Sequence, residues 1–479
     1  MQPAKGAGEP PALFVARRHK RVLHYNEILQ SKGEFVTDTA KKRQIAIIGG
    51  GILGVTLAYK LAGRGLNVTV YERGDNLGGL AAAMDYDGAR VDRFYHTILS
   101  SDTSMQGLME EFGVADKRHF TATKQGFYDN GHLYDFNTPV DLMRFPPLNI
   151  IQRVRLGLQI VYAQLESDWR KMDVVPVEDW LAKFWGRGVY QKVWKPLLRA
   201  KFDSTAESVP ATYIWSRLRR MMGTREGVTS KEMMCYIENG YYTLIEALAR
   251  KAEGLGVQFH LKAPIEEVVI ENGQAAGVRV GGEVRRYDAV ISTLPSPTLG
   301  GLIPSAPADF RALLNKQQYL GVMCPLLILK KRLLPYYVLN ITDESIPFTA
   351  VVETTNLIDP QHVKGYHLVY LPKYLAPDNP IANWSDEQVQ AEWMKHFKRM
   401  FPDYNVSDIA AFIVQKAKYV EPIRPMGTLD EIPEIQTPVA RLYMGNTVMI
   451  YPDLGNGEAV TRYSAKVIDR VMADMVGWA

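Results

Sequence analysis

The sequence predicts an α/β chain: a parallel sheet with covering helices, assembled from discontinuous segments, joined to a part of mixed helix and antiparallel strand. Three observations carry this. At "IAIIGGGILG", Ile45–Gly54, an apolar run meets a glycine turn and a helical pattern, and "NVTVYER" supplies a second strand. Helix and strand alternate again through "GYYTLIEALARKAEGLGVQFHLKAPIEEVVIENGQAAGVRVGGEVRRYDAVISTLP". The C-terminal "RLYMGNTVMIYPDLGNGEAVTRYSAKVIDRVMADM" reads as strand, glycine-rich loop and long helix.

Each element has a local reason. Residues 1–42 open with Pro, Gly and Ala and turn basic, so they read as an N-terminal extension with a short helix over Phe14–Gln30. Its basic cluster is either a solvated face or a contact for anionic lipid. "IAIIG" is continuously apolar, as a strand buried on both faces must be. Leu57, Ala58 and Leu61 recur at helical spacing until Gly65 stops the helix. From about residue 101 to 234 the chain becomes rich in Arg, Trp, Tyr and Met. It carries helical stretches such as "NIIQRVRLGLQIVYAQLESDW" and "VEDWLAKFWGRGVYQKVWKPLLRAKF". Strands such as "PLLILK" and "GYHLVYL" mark residues 301–434. The expected division is therefore 43–100, 235–300 and 435–479 in one domain, and 101–234 with 301–434 in a second.

Bulk properties bound the function. With 479 residues, 47% of them hydrophobic, the chain can bury two cores. A net charge of +4 over this length gives no concentrated basic face for nucleic acid. Cys235 and Cys324 make no disulfide framework, which points to a reducing, cytoplasmic compartment. The nine His show no metal-ligand spacing, so no metal is expected. "FVARRHKRVLHY" places charge where a secretory signal needs an apolar core. No run of about 18 apolar residues exists to span a bilayer, and membrane contact is at most peripheral.

The first glycine turn implies a dinucleotide. Gly49 permits the tight turn, Gly51 lets a phosphate approach the backbone, and Gly54 lets helix and strand pack closely. Ile52 and Leu53 complete this cofactor-binding loop. A pyrophosphate would rest on the helix N-terminus, where free N–H groups and roughly half a unit of positive charge await it. Glu72 ends the second strand about 20 residues on, where an acid binds ribose hydroxyls and repels a 2′-phosphate. FAD and NAD both fit so far. The second glycine pair in "ERGDNLGGLAAA", Gly78 and Gly79, favours FAD, because a simple NAD domain needs no second backbone approach. The glycine-rich C-terminal loop feeds a helix whose N-terminus can stabilise negative charge on a reduced flavin.

On these motifs the chain resembles the flavin amine oxidase superfamily, nearest its protoporphyrinogen-oxidase-like and phytoene-desaturase-like members. "IAIIGGGILG" and "ERGDNLGGL" carry the likeness, with "NGYYTLIEALA", "DAVISTLP" and "LYMGNT". The resemblance implies a Rossmann-type FAD-binding domain with Glu72 on the adenosine ribose and Arg73, Gly78, Gly79 and Leu80 along the pyrophosphate and ribityl chain. It implies that Ile265 meets the adenine through its backbone. Gly445 and Asn446 would contact the phosphate and ribityl region, with Asn456, Gly457 and Ala459 near the flavin ring. Many amine oxidases carry Arg where Leu80 stands and an acid or Thr where Asn446 stands, so the resemblance does not extend to amine chemistry. No Cys lies near the C-terminal loop, and the FAD is expected to be non-covalent.

Flavin chemistry asks the protein mainly to place a C–H bond near the ring, about 3–3.5 Å away, and to exclude water. Tyr95 and His96 of "RVDRFYHTI" are candidates for positioning or proton transfer, the plain alternative being a His that bonds the backbone. Glu353, with Thr355 and Asn356, forms a polar cluster that either orients a substrate or caps a strand. Tyr451 and Asp453 stand beside the flavin loop, where Asp453 also suits a turn. Lys195, Arg199 and Lys201 read as an anion site or a solvated helix face. The expected function is an FAD-dependent oxidoreductase acting on a C–H bond of a small substrate. The alternatives are a flavin-dependent mutase resembling UDP-galactopyranose mutase and a non-enzymatic flavoprotein subunit. Ile150, Ile151, Val154, Leu158, Val161 and Leu165 form one helical stripe with Arg153 and Arg155 beside it. That pattern fits a core-facing helix or one lying on lipid.

Overall fold

A run of buried aliphatic residues puts strand β1, Gln44–Ile48, at the centre of a five-stranded parallel sheet. The computed structural model describes residues 42–135, 141, 149–165, 168–222 and 233–478, so the expected extension and its Phe14–Gln30 helix lie outside it. Strand β2, Asn67–Tyr71, pairs with one side of β1 and Ala289–Ser292 with the other. Gln258–His260 extends the sheet beyond β2, and Leu442–Met444 extends it at the opposite edge. Ile47 stands opposite Val70 and Ile291, and all three are fully buried. Three segments distant in sequence thus build one sheet, the α/β architecture that the alternating elements predict.

Helix α1, Ile52–Ala62, crosses between β1 and β2 with Leu57, Ala58 and Leu61 buried against the sheet. Burying each large aliphatic side chain contributes about 1.5–3 kcal/mol. The C-terminal helix Gly457–Val476 and the helix Tyr242–Gly254 flank α1. Two glycines are required here. Gly49 has φ +107°, and a Cβ on Gly54 would lie 1.9 Å from the Gly49 carbonyl oxygen.

The second sheet has eight strands and is mostly antiparallel. Its long members, Gln318–Leu329 and Ile409–Ile423, pair along most of their length. Side chains alternate between faces. Met323, Leu327 and Val351 pack under the helix Asp386–Met400, while Cys324, Leu326, Val352 and Tyr370 face Tyr95. The ladder is irregular near its end, where Leu320 and Val322 stand opposite Glu421 and Ala417. Gln125–Asp129 and His132–Asp135, within a stretch whose sequence reads as helical, also join this sheet. Their short strands lack the length for a clear period-two signal.

Helix Ile150–Leu165 forms as expected, but its apolar stripe does not face a core. Ile150, Ile151, Val154, Leu158 and Leu165 are each at least half exposed. Among the described residues no helix is long and apolar enough to cross a membrane. Cys235 and Cys324 are buried, free thiols.

Candidate functional site

The β1–α1 turn and the loop after β2 meet through backbone. Gly78 N–H donates to the Gly50 carbonyl at 2.7 Å, and Gly51 bridges Gly78. Gly51 is the N-cap of α1, with no side-chain cap and open space where its Cβ would project. Gly78 and Gly79 adopt φ +104° and +59°, which favours glycine at both positions. The result is a backbone-lined cradle at a helix N-terminus, suited to a pyrophosphate. Glu72 stands at its edge: its two carboxylate oxygens accept N–H bonds from Gly50 and Gly74, both at 2.7 Å. Each oxygen keeps a lone pair for a ribose hydroxyl.

The other predicted cofactor residues fall into two groups. Arg73 and Leu80 are exposed beside the cradle, whereas Leu53 is buried, so only its backbone faces the turn. Ile265 follows a segment in which Lys262 and Ala263 N–H groups bond the carbonyls of Gly74 and Glu72, drawing it to the ribose end. In the C-terminal loop, Gly445 N–H bonds the Ser292 carbonyl at 2.9 Å. Asn446 is buried, and its side chain is committed to Leu294, Ser296 and Val448. It braces the loop, leaving backbone for a cofactor. Asn456 caps the last helix by accepting the Ala459 N–H at 3.0 Å. A Cβ on Gly457 would strike the Tyr241 hydroxyl at 1.9 Å, and Ala459 is buried in the same turn. These residues fit a nucleotide cofactor, with Glu72 available to a ribose and the open backbone at Gly51 to a phosphate.

A second, part-buried polar cluster lies against the antiparallel sheet. The Tyr95 hydroxyl lies 3.3 Å from that of Tyr374, and Lys201 Nζ sits 3.5 Å above the Tyr374 ring. Lys201 pairs with Glu421 at 3.0 Å. Burial disfavours the Lys201 charge, but Glu421, with the hydroxyls of Tyr213 and Tyr95, outweighs this and the Lys201 pKa is raised. Lys201 is therefore a largely covered ion-pair member, not a solvated face, while Arg199 is half exposed and pairs with Glu344 at 3.6 Å. Tyr451 donates its hydroxyl to Asp173 and offers its ring to Arg424 at 5.5 Å. Asp453 is half exposed and pairs with Arg462. Burial raises the pKa of Tyr95, Tyr374 and Tyr451, so all three stay protonated at neutral pH.

His96 lies deeper, with Nδ1 2.8 Å from the Phe94 carbonyl oxygen. A carbonyl only accepts, so Nδ1 carries the proton. Burial pushes the ring pKa down to about 4, leaving Nε2 an acceptor at neutral pH. A cavity of about 10 Å³ adjoins it, shared with Asp92 and Tyr241. Burial pushes the Asp92 carboxyl up to about 7.

Glu353 is not brought to this cluster. Its neighbour Val352 faces the Tyr95 side, so alternation turns Glu353 to the other face. There it accepts the Leu333 and Leu334 N–H groups at 3.3 and 2.9 Å, and burial pushes its pKa up to about 7. Thr355 accepts the Leu368 N–H and Asn356 bonds the Leu334 and Tyr336 carbonyls, so the polar cluster braces loops. Sequence reasoning passed over Asp173, Tyr213, Tyr374, Glu421 and Arg424. Nothing in "KMDVVP" or "PIRPMG" marks Asp173 or Arg424 beforehand.

Residues 54–449 match the family described as flavin containing amine oxidoreductase. A 15-cis-phytoene desaturase of Synechococcus elongatus is 25% identical over 288 residues, 55% of this chain. The match spans 60% of the desaturase's own length. An oxidoreductase from Methanosarcina mazei superposes with a TM-score of 0.71 at 19% identity, over 89% of this chain and all of that one. Reduced UDP-galactopyranose mutase gives 0.71 at 16% identity, over 90% of this chain and 96% of the mutase. At such identities the two structures show a shared fold.

Proposed function

The chain belongs to the flavin-containing amine oxidoreductase family, and from that premise we propose that it is an FAD-dependent oxidoreductase. It holds FAD without a covalent bond and acts on a C–H bond of a small, largely apolar substrate. The reading assigns residues 43–100, 235–300 and 435–479 to the cofactor, and 101–234 with 301–434 to the substrate. The observation that carries it is the open backbone cradle at Gly51, edged by Glu72 and by Gly78 and Gly79. Bound FAD supplies a two-electron hydride acceptor.

The protein's own groups orient and insulate. Glu72 holds the ribose, the α1 N-terminus holds the pyrophosphate, and the Asn456-capped helix N-terminus stabilises negative charge at the ring. Tyr95, Tyr374 and Tyr451 are neutral donors, and His96 offers Nε2 as an acceptor. None is poised as a strong acid or base, which suits hydride transfer from carbon better than acid–base chemistry. The exposed stripe on Ile150–Leu165, beside the exposed Arg155, supports a substrate met at an anionic membrane surface.

Purified FAD-loaded protein incubated without oxygen with 15-cis-phytoene and shorter isoprenoids tests the reading by flavin absorbance. Bleaching without added reductant is expected. Turnover of UDP-galactopyranose only after prior reduction would replace it with the mutase.

A further inference from the structure

A cavity of about 40 Å³ lies under the loop that joins the two glycine-rich C-terminal segments. Phe202, Val209, Pro422 and Leu454 give it apolar walls, and three charged residues line it: Glu421, Arg424 and Asp453. Glu421 is neutralised by Lys201, and Asp453 by Arg462. Arg424 has no carboxylate partner among the described residues. The residue is nine-tenths buried, and its guanidinium bonds one backbone carbonyl, that of Val448 at 2.9 Å, and leaves Nε without a partner. Asp173 balances it only from a distance, because the Tyr451 ring faces Arg424 while the Tyr451 hydroxyl occupies Asp173.

A buried cation without a counter-ion costs free energy, and a site that tolerates this cost gains when an anion arrives. The volume admits roughly three water-sized groups, enough for a carboxylate and far too few for a flavin ring. We propose that this cavity receives a carboxylate at one end of the substrate, with Arg424 as its counter-charge. The substrate is then an amphiphile: an apolar body ending in an acid. This rests on the oxidoreductase reading and narrows its substrate class. A guanidinium suits the role because its planar donors match both carboxylate oxygens. Burial holds the Arg424 pKa below its usual range, as an uncompensated cation requires.

The test is calorimetric titration of FAD-loaded protein with decanoate and with 1-decanol. Decanoate is expected to bind at least tenfold tighter. Arg424→Met should bring decanoate down to the level of the alcohol, with FAD affinity unchanged and a melting temperature no lower than that of the wild type. Glu421→Gln removes the better covered of the two anions at the cavity and releases Lys201, so it should tighten decanoate several-fold. This second variant decides the matter if Arg424→Met fails to fold. Equal affinity for acid and alcohol, no binding of either, or a preference that survives Arg424→Met each overturns the inference, as does a Glu421→Gln variant that binds decanoate no tighter than the wild type. A protein that binds no flavin would instead sink the oxidoreductase reading, and the same titration on flavin-free protein still reports on the cavity.

Discussion

Tyr451 donates its hydroxyl to the fully buried carboxylate of Asp173, 278 residues away in sequence. The bond, made to Oδ1, ties the Tyr451 loop to the helical part of the chain, and Asp173 Oδ2 has no hydrogen-bond partner. Removing the donor strands a buried charge, at a cost of about 2–3 kcal/mol. Tyr451→Phe should therefore lower the thermal midpoint by several degrees. Adding Asp173→Asn should recover most of that loss, since the stranded charge is then gone. Calorimetry on the four proteins of the cycle checks this, and a double variant no better than Tyr451→Phe would contradict it.

Glu72 has two tasks, accepting backbone N–H groups and facing the ribose. Charge-assisted bonds contribute about 1.5–3 kcal/mol, so Glu72→Ala should weaken FAD roughly tenfold or more. Wild-type protein should be yellow and release its flavin to the supernatant on denaturation. Flavin retained by the precipitated chain would refute a non-covalent cofactor, and unchanged FAD affinity in Glu72→Ala would refute the ribose role.

Glu353 makes stability depend on pH. Burial raises its folded-state pKa from 4.5 to about 7, so the folded protein prefers the protonated acid. That contribution is full below pH 4.5 and is lost as pH rises through about 7, amounting to about 3 kcal/mol. Glu353→Gln mimics the neutral form and should be relatively more stable at pH 8 than at pH 5. Denaturant midpoints at the two pH values measure the gap, and an identical gap in wild type and variant would falsify the assignment.

The exposed stripe on Ile150–Leu165 predicts binding to anionic vesicles that weakens with salt. Replacing Ile151, Val154 and Leu158 by Ser should abolish flotation with the vesicles while leaving FAD content unchanged. Arg155→Glu should weaken flotation most at low salt. Wild type that stays in the soluble fraction at every salt concentration would end the membrane reading.

The cofactor half was legible because its signals are local. Gly49, Gly51 and Gly54 sit within one turn, and β1 announces itself by five residues of which Ile45–Ile48 are all buried. The polar cluster around Tyr95 and Tyr451 was only partly so: the sequence singles out Lys201, but Asp173, Tyr374, Glu421 and Arg424 come from separate segments with no shared spacing. Glu353 shows a second limit. Alternation places it opposite Val352 in phase, but only the packed sheet reveals which face looks toward Tyr95. Helix Ile150–Leu165 shows a third: its stripe is plain in the sequence, yet periodicity cannot say whether protein or surroundings will cover it.

The irregular pairing near the end of the long ladder separates two duties. The strand Ile409–Ile423 is paired up to Ala417 and again from Glu421 to Ile423, and beyond the irregularity Glu421 and the following Arg424 line the cavity. Between these paired stretches one residue, Gly321, stands opposite three, Lys418, Tyr419 and Val420. This slack works as a joint. Residues can be exchanged, gained or lost within it, re-aiming the charged pair, while the ladder upstream keeps its register. Divergence among relatives should therefore collect in this short stretch, letting the lineage explore new ligands without renegotiating how the chain folds.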